Sequence, residues 1–224
     1  QYKHAGGKLN FSLIRNLIRQ IKEFNPDIVH LTGLQGAGFH AVVAAKFCDK
    51  KVVLTVRGSA TDAIGLSPRI KFIFAKIIEP LTLRLSDSVY TVCKAMEKRS
   101  FLKKNSGKRL IGTIHNSAPE IDEKEVINYR LREKLQITQD DVVIVIVGRI
   151  IYDKGVTYIA EAIKNIKNNK LKFIFIGDEP KSMNFESSLE KEVSDKSVFF
   201  MQKQNKENVL SILNESDIFL FATL

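Results

Sequence analysis

Residues 147–156 read VGRIIYDKGV and combine two permanent cations with two glycines. Arg149 follows Gly148, and Lys154 precedes Gly155. A guanidinium presents a planar fork of donors that matches phosphate oxygens, and a glycine lets a ligand approach the backbone closely. The spacing therefore predicts a site for a diphosphate group. The alternative is that both cations are surface residues of an ordinary loop between a strand and a helix.

The elements around this stretch would place it at the N-terminus of a helix. Residues 142–147 read VVIVIV, which is typical of a buried strand, and the pattern that follows predicts a helix over about 155–168. Asp153 is the predicted N-cap, so that Lys154 and Gly155 would fall in the first helical turn. Free N–H groups and the helix dipole favour an anion at that position.

The rest of the chain alternates apolar runs with helical patterns. Continuous apolar runs separated by helices indicate parallel sheets covered on both faces. The predicted fold class is α/β, with two Rossmann-like domains, each containing a parallel sheet and each incomplete. The predicted domains are residues 1–118, a connection over 119–140, and residues 141–224. The predicted strands are 27–31, 51–56, 88–92, 110–114, 142–147, 171–176, 198–200 and 217–221.

The composition is that of a globular protein with a basic surface. Of 224 residues, 44% are apolar and 27% are charged, and the net charge is +10. This balance favours anionic partners, namely nucleic acid, acidic lipid headgroups or phosphorylated substrates. No apolar run approaches the roughly 20 residues that span a bilayer, and no cluster of Cys and His has metal-ligand spacing. Cys48 and Cys93 lie in apolar patterns and are expected to be reduced residues of the core.

Several segments, taken in order, resemble the retaining glycosyltransferases of family 4, which have the GT-B architecture. Residues 142–166 resemble the strand, loop and helix that open the C-terminal domain of that family. The resemblance covers nearly the whole chain and rests on the order and spacing of the segments. The other matching segments are PDIVHLTG, KVVLTVRGS, LSDSVYTVCKAMEKRSF, GTIHNSAPE, LKFIFIGDEP and VFFMQKQNKENVLSILNESDIFLFATL.

The resemblance implies an enzyme that moves a sugar, with retention, from a nucleotide-diphosphate sugar to a glycan or lipid-linked acceptor. Arg149 and Lys154 would be the catalytic residues, because they would bind the donor diphosphate and stabilise the charge on the leaving group. Gly148 and Gly155 would complete the diphosphate site. The resemblance implies neither a cofactor nor a metal, since the two cations would take the place of a metal ion.

Further site candidates come from the same resemblance. Gly177 would lie near the nucleotide, and the loop with Gln202 and Lys203 would face the base. Two departures bear on this region, because Glu179 and Gln202 stand where the family usually has glycine. The acceptor-side candidates are Arg57, Gly58 and His30. Each of these has a structural alternative, namely a loop position for Arg57 and a packing role for His30.

Two basic segments raise the question of a membrane surface. Residues 68–85 mix basic and apolar residues in a helical pattern, and residues 94–109 add a run of cations. Such a helix either packs on its domain or rests on anionic lipid. The expected location is cytoplasmic, with the enzyme peripheral on the inner face of the cell membrane and acting in bacterial envelope or capsule polysaccharide synthesis.

The pattern also leaves other interpretations open. The family's donor-site glutamates would follow Leu224, and its Gly-rich loop would precede Gln1, so the chain is expected to be a fragment that is inactive by itself. One alternative is an epimerase of sugar nucleotides with the same fold, which would need a pair of carboxylates in its cleft. Another is a non-catalytic basic protein that binds nucleic acid. Nucleic acid is not expected, because Phe101 alone adds an aromatic side chain to the 94–109 run.

Overall fold

The computed structural model describes residues 9–64, 66–117, 121, 126, 128–180, 184–192 and 198–223. The chain divides into two compact units, residues 1–118 (unit 1) and 119–224 (unit 2). Each unit contains a four-stranded sheet in which every pair of neighbouring strands is parallel. The α/β fold with two parallel sheets is therefore confirmed.

Unit 1 builds its sheet from consecutive strands in the order β1-β2-β3-β4. The strands are β1 Ile28–Thr32, β2 Lys51–Val56, β3 Ser88–Thr91 and β4 Leu110–Thr113. The helices are α1 Phe11–Phe24, α2 Ala37–Phe47, α3 Pro68–Ile73, α4 Glu79–Leu85, α5 Lys94–Glu97 and α6 Ser100–Ser106. A π-helical turn over Phe74–Ile78 joins α3 to α4, so that the predicted helix at 68–85 is continuous in the structure.

Local signals set the ends of α1. The Asn10 side chain accepts a hydrogen bond from the backbone N–H of Leu13 and caps the start of the helix. Asn25 adopts the left-handed conformation at the end of the helix, and Pro26 follows it. The buried residues of α1 pack on α2 and on the sheet within one core cluster, which α4 and α6 also join.

Unit 2 has the strand order β7-β6-β5-β8, which places β5 inside the sheet. The strands are β5 Val142–Val147, β6 Leu171–Ile176, β7 Val198–Met201 and β8 Ile218–Phe219. The helices are α7 Leu131–Lys134, α8 Val156–Asn165, α9 Phe185–Glu192 and α10 Lys206–Asn214.

Strands β5 and β6 of unit 2 are buried on both faces, as their continuous apolar runs predict, whereas Ile218 and Phe219 of β8 are exposed. Ile144 and Ile146 of β5 pack with α8 and α9, whereas Val143 and Val145 pack with α7 and α10. Successive side chains of a strand point to opposite faces, so one run of β-branched residues supplies both cores. This burial fixes the strand ends, and thereby the loops that follow them.

Three local expectations are wrong. Asp153 is not the N-cap of α8, because it lies in a 3₁₀ turn over Tyr152–Lys154 and Gly155 occupies the N-cap. The helix ends at Asn165 rather than near residue 168. Cys93 is exposed rather than part of the core, because it follows β3 at the edge of the sheet, and Cys48 is half-buried.

No helix in the described ranges has both the length and the apolar character needed to cross a bilayer.

Candidate functional site

The carboxyl edge of the unit 2 sheet gathers most of the predicted donor-site residues. The backbone N–H of Gly148 donates to the carbonyl oxygen of Ile176 at 3.0 Å. The backbone N–H of Ile150 donates to the carbonyl oxygen of Asp178 at 3.0 Å, and that of Gly177 donates to Met201 at 3.0 Å. The turns that follow β5, β6 and β7 are therefore held side by side by backbone hydrogen bonds.

The turns after β5 and β6 come closest to each other at Gly148 and Gly177. A Cβ atom added at Gly177 would lie 1.9 Å from the carbonyl oxygen of Gly148, which is far inside van der Waals contact. At Gly148 the same construction finds no atom within 4 Å, so its backbone faces open space. Gly177 is thus required for packing, whereas Gly148 leaves room for a ligand beside the backbone.

The start of α8 is fixed by residues that follow β8. Gly155 has φ +68°, and a Cβ there would lie 2.0 Å from the carbonyl oxygen of Ala222. The hydroxyl of Thr223 donates to the carbonyl oxygen of Asp153 at 3.0 Å. No side chain in the described part of the chain caps the N-terminus of α8, so its first N–H groups keep their capacity to bind an anion.

Arg149 and Lys154 bring positive charge to this helix end. Both line one narrow cleft of about 10 Å³, which has room for about one water molecule, with Gly148, Val156 and Phe221 among the other lining residues. Arg149 is exposed and Lys154 is half-buried, with its Nζ atom 5.4 Å from the centroid of the Phe221 ring. Among the described residues, neither cation has a carboxylate within ion-pair distance. The cleft therefore carries two positive charges that no described acidic side chain neutralises.

An exposed pair of tyrosines stands at the same helix end. The hydroxyls of Tyr152 and Tyr158 are 3.2 Å apart, and this hydrogen bond raises the pKa of Tyr152 above its ordinary value. Tyr152 is therefore a neutral hydrogen-bonding group at physiological pH. Sequence reasoning missed this pair.

Gln202 and Lys203 lie farther from the cations than Gly177 does. They follow β7, which is two strands from β5 in the sheet, or about 10 Å at ordinary strand spacing. The backbone N–H of Lys203 donates to the Asp178 carboxylate at 3.4 Å, which connects this loop to the one after β6. Both side chains are exposed, and their role at the base stays a prediction.

Glu179 has a structural role that sequence reasoning missed. Its carboxylate accepts hydrogen bonds from the backbone N–H groups of Phe185 and Glu186, the first two residues of α9. A carboxylate at a helix N-terminus stabilises the helix through both hydrogen bonds and the dipole. The sequence does show an acidic residue shortly before a helix. Only the fold shows that the Glu179 carboxylate reaches the first N–H groups of α9.

In unit 1, His30 lies within β1 rather than at its end, because the strand continues to Thr32. The Nε2 atom of His30 is hydrogen-bonded to the Thr55 hydroxyl at 2.7 Å and to the Tyr90 hydroxyl at 3.1 Å. The rings of His30 and Tyr90 are stacked, with centroids 5.9 Å apart. The three side chains form a row across β1, β2 and β3, and sequence reasoning missed Thr55 and Tyr90.

Arg57 and Gly58 open the loop after β2, and Arg57 is exposed. Glu79 of α4 anchors this loop. Glu79 is only 1% exposed, and its carboxylate accepts a hydrogen bond from the Ser59 hydroxyl at 2.8 Å. It also accepts the backbone N–H of Ala60 and the side-chain amide of Gln35. A buried acid fully used by hydrogen bonds indicates a fixed loop conformation.

Asp62 fixes the far end of the same loop. Its carboxylate accepts the backbone N–H of Ser59 at 3.1 Å and pairs with the Arg99 guanidinium at 2.7 Å.

No group of three or more His, Cys, Asp or Glu side chains among the described residues is arranged to hold a metal ion.

Two family models match this chain. The model of glycosyltransferase family 4 matches residues 2–116, and the model of glycosyl transferases group 1 matches residues 128–224. Among curated proteins, the chain is similar to the capsular polysaccharide biosynthesis glycosyltransferase CapM of Staphylococcus aureus. The two sequences are 25% identical over an alignment of 231 positions, which covers 95% of this chain and 57% of CapM.

Solved structures share the fold. One is Anabaena Alr3699/HepE in complex with UDP and glucose, with a TM-score of 0.70 and 13% identity over 97% of this chain and 59% of that one. Another is a UDP-N-acetylglucosamine 2-epimerase, with a TM-score of 0.58 and 14% identity over 92% of this chain and 53% of that one. At these identities the likeness concerns the fold alone. The chain spans a little more than half the length of each of these proteins.

Proposed function

The chain belongs to glycosyltransferase family 4, with two parallel-sheet units of the GT-B type, and from this premise we propose that it acts in sugar transfer. The donor is a nucleotide-diphosphate sugar, the acceptor is a glycan or a lipid-linked glycan, and the anomeric configuration is retained. CapM is named for capsular polysaccharide biosynthesis, which supports a role in bacterial envelope or capsule synthesis. A location at the cytoplasmic face of the membrane is part of the proposal.

The observation that carries this proposal is the pair of cations at the start of α8. Arg149 and Lys154 line one cleft, without an ion-pair partner among the described residues, beside the open backbone of Gly148. A diphosphate at the mouth of the cleft, over the open backbone of Gly148, would receive the Arg149 fork, the Lys154 ammonium and the N–H groups at the start of α8. The bound UDP in the Anabaena structure supports a diphosphate ligand for this fold.

The same groups would act in the transfer step. The bond between the anomeric carbon of the sugar and the diphosphate oxygen breaks while a bond from that carbon to the acceptor hydroxyl oxygen forms. The leaving nucleoside diphosphate gains negative charge, and Arg149 and Lys154 stabilise that charge. One well-placed donor group of this kind contributes about 3–4 kcal/mol to lowering the barrier. Because the cations supply the positive charge that Mg²⁺ supplies in other transferases, we propose that the reaction is independent of metal.

The remaining residues have supporting roles in this proposal. Gly177 lets the turns after β5 and β6 close around the nucleotide, and Gln202 with Lys203 faces the base. Arg57, Gly58 and His30 form the acceptor side in unit 1, where Glu79 fixes the Arg57 loop.

One of the proteins that share the fold is an epimerase, but the two acids that follow β6 do not favour that chemistry. Epimerisation needs carboxyl groups free to move protons. Asp178 accepts the backbone N–H of Lys203, and Glu179 caps α9. The two acids after β6 therefore have structural roles, whereas the turn after β5 contributes the cations Arg149 and Lys154.

The test is binding of nucleoside diphosphates to the 224-residue chain, followed by backbone amide NMR shifts. We expect UDP, GDP or ADP to shift the amides of Gly148, Arg149 and Gly155. Arg149→Ala and Lys154→Ala should each weaken binding by about tenfold or more, since each removes a charge-assisted contact. EDTA should leave the affinity unchanged.

Lys170→Ala is the matched control, because Lys170 is an exposed cation just before β6, at the opposite edge of the same sheet. Absence of shifts at millimolar nucleotide, or unaltered binding in both cleft variants, would remove the proposed site. Binding to RNA without any response to nucleoside diphosphates would favour the non-catalytic alternative.

A further inference from the structure

Three consecutive residues after β8 lie against three consecutive residues of the turn that leads into α8. We call residues 221–223 the exit segment of β8. The contacting pairs are Phe221 with Lys154, Ala222 with Gly155, and Thr223 with Asp153. The last pair is separated by 70 positions in the sequence, so only the fold brings these residues together. The exit segment therefore sets the position of this turn from outside it.

Two of these contacts fix the backbone of the turn. The carbonyl oxygen of Ala222 lies so close to Gly155 that a Cβ atom added at Gly155 would collide with it. The hydroxyl of Thr223 donates to the carbonyl oxygen of Asp153 at 3.0 Å. These contacts hold the backbone on both sides of Lys154, so the Cα atom between them has little freedom of position.

The Phe221 ring acts on the side chain of Lys154 rather than on its backbone. The Lys154 Nζ atom is 5.4 Å from the ring centroid, within the roughly 6 Å over which an aromatic face attracts a cation. This attraction leaves the ammonium with its full charge, whereas a carboxylate partner would neutralise it. Both side chains line the cleft beside Gly148. The ring therefore holds the ammonium at the cleft while its charge stays available to an anion.

A second ring supports Phe221. The rings of Phe219 and Phe221 are stacked, with centroids 6.1 Å apart and planes inclined by 24°. The two residues are two positions apart on an extended chain, so their side chains point to the same side. Leu220 and Ala222, which alternate with them, pack against the core cluster that contains α8, whereas each of the two rings is 55% exposed. The rings thus contribute to the contact with Lys154 rather than to that core.

We propose that Phe221 and Thr223 are positioning residues of the diphosphate site and act through Lys154. Phe221 keeps the ammonium at the mouth of the cleft, and Thr223 keeps the turn where the ring can reach it. A lysine carries its charge on a flexible four-carbon stem, and ordering that stem before the ligand arrives lowers the entropic cost of binding. This inference rests on the proposed function, because it requires that the cleft binds a diphosphate.

Side-chain NMR of the ligand-free 224-residue chain tests the contact between Phe221 and Lys154. Protons that lie over the face of an aromatic ring resonate upfield, so we expect the Hε protons of Lys154 to be displaced upfield of those of the other lysines. Lys154→Ala identifies the resonance by its loss. Phe221→Leu should remove the displacement, and Phe221→Tyr should retain it. Because no nucleotide is present, this result does not depend on the proposed function.

Nucleotide binding tests the positioning role, with the tightest-binding of UDP, GDP and ADP as the probe. Phe221→Leu should weaken binding about two- to fivefold, the usual strength of a cation–π contact at an exposed site. Phe221→Tyr should restore the native affinity, because it keeps the aromatic face. In a Lys154→Ala background, Phe221→Leu should cause no further loss, since the ring acts through the ammonium. Ile218→Val is the matched control, because it trims an exposed side chain of β8 outside the exit segment.

Two substitutions at Thr223 separate the hydroxyl from the shape of the side chain. Thr223→Val removes the donor to the carbonyl oxygen of Asp153, whereas Thr223→Ser keeps it. We expect Thr223→Val to weaken nucleotide binding about threefold, the effect of one lost hydrogen bond, and Thr223→Ser to bind as the native chain does. The Lys154 Hε resonance should move in Thr223→Val alone. Unchanged near-ultraviolet circular dichroism will show that the variants keep their fold.

Three results would overturn the proposal and leave the proposed function intact. The first is a native chain in which the Lys154 Hε protons are not displaced upfield. The second is native nucleotide affinity in both Phe221→Leu and Thr223→Val. The third is an equal loss from Phe221→Leu with and without Lys154, which would show that the ring does not act through the ammonium. If the native chain binds no nucleoside diphosphate, the proposed function fails, and the positioning role fails with it.

Discussion

At the residue scale, Gly177 is a position where a single methyl group would collide with the backbone of the candidate site. The added Cβ would lie 1.9 Å from the carbonyl oxygen of Gly148, and φ at Gly177 is +153°. We expect Gly177→Ala to lower the free energy of unfolding by about 1–3 kcal/mol through backbone strain. Urea denaturation of the 224-residue chain, followed by circular dichroism, measures this loss.

Gly58→Ala serves as the control for Gly177→Ala. No atom lies within 4 Å of a Cβ added at Gly58, so this substitution is expected to be close to neutral. Equal destabilisation by both substitutions would mean that the close contact between Gly177 and Gly148 is not the cause.

The hydrogen bonds of Glu79 allow a second specific prediction about the free energy of unfolding. Its carboxylate accepts hydrogen bonds from three donors, on Gln35, Ser59 and Ala60, in a buried position. In Glu79→Gln one acceptor becomes an NH₂ donor that faces another donor, so we expect a loss of about 1–3 kcal/mol in the free energy of unfolding. Hydrogen exchange at the Ala60 amide should become faster, because the loop after β2 loses its anchor.

Glu23→Gln is the matched change for Glu79, at an exposed position of α1 in the same unit. It should leave both the stability and the exchange rate at Ala60 unchanged. If Glu79→Gln were as stable as the native chain, the hydrogen bonds to the loop would not be holding it.

At the element scale, the short helix α7 depends on a side chain more than 80 residues away in sequence. Glu215 accepts the backbone N–H groups of Tyr129, Arg130 and Leu131 and so caps the start of α7. Leu131 is fully buried in the core between α7, α10 and the sheet. Glu215 thereby joins the segment before β5 to the end of α10.

We expect Glu215→Ala to lower the stability of unit 2 by about 1–2 kcal/mol, the usual cost of losing a cap. Protection of the Leu131 amide against hydrogen exchange should fall with it. Glu133→Ala is the control, because Glu133 is an exposed residue of α7 itself, 3.8 Å from Arg130 in an exposed ion pair. An equal loss from both substitutions would point to helix propensity rather than to capping.

The bounds of a strand were predictable from the sequence where both faces of the strand are buried. The bounds predicted for β2, β5 and β6 coincide with the observed ones, because continuous apolar runs leave little choice of register or length. The start of α8 was not predictable in the same way. It is set by the contact of Gly155 with Ala222, which is distant in sequence, and this contact displaces Asp153 from the N-cap.

The candidate site shows the same division. A pair of cations beside glycines is a local signal, so Arg149 and Lys154 could be selected from sequence. The environment of Lys154 against Phe221, the row formed by His30, Thr55 and Tyr90, and the burial of Glu79 all depend on packing between elements. Sequence periodicity contains no information on which side chains meet across a sheet.

At the scale of the whole molecule, the net charge of +10 comes from unit 1. Residues 1–118 carry 20 Lys and Arg against 7 Asp and Glu, whereas residues 119–224 carry 15 against 18. The two cations of the diphosphate cleft are therefore a local concentration of positive charge on a unit that is slightly acidic as a whole. Raising the ionic strength should weaken the binding of a nucleoside diphosphate at this cleft.

Acid stability is a property of both units, since each contains an aspartate with a lowered pKa. Burial raises the pKa of Asp87, but hydrogen bonds from the Lys46 ammonium at 2.6 Å and the Val52 N–H at 2.7 Å outweigh it and lower the pKa. In unit 2, the hydroxyl and backbone N–H of Thr138 lower the pKa of Asp141.

The sign of the pH dependence follows from these directions. A carboxyl group with a lower pKa in the folded state stabilises the fold fully above its unfolded pKa of about 4. That contribution is lost as the pH falls below this value towards the folded pKa. We therefore expect Asp87→Asn to be less stable than the native chain at pH 7, and the difference to shrink steadily below about pH 4. Thermal unfolding midpoints measured across this range will show the convergence.

Asp27→Asn provides the comparison, since Asp27 is exposed just before β1 and should give a small difference at every pH. A stability gap between Asp87→Asn and the native chain that stayed constant down to pH 3 would mean that the hydrogen bonds, and not the charge, are what Asp87 contributes. In that case protonation of Asp87 would not contribute to acid unfolding.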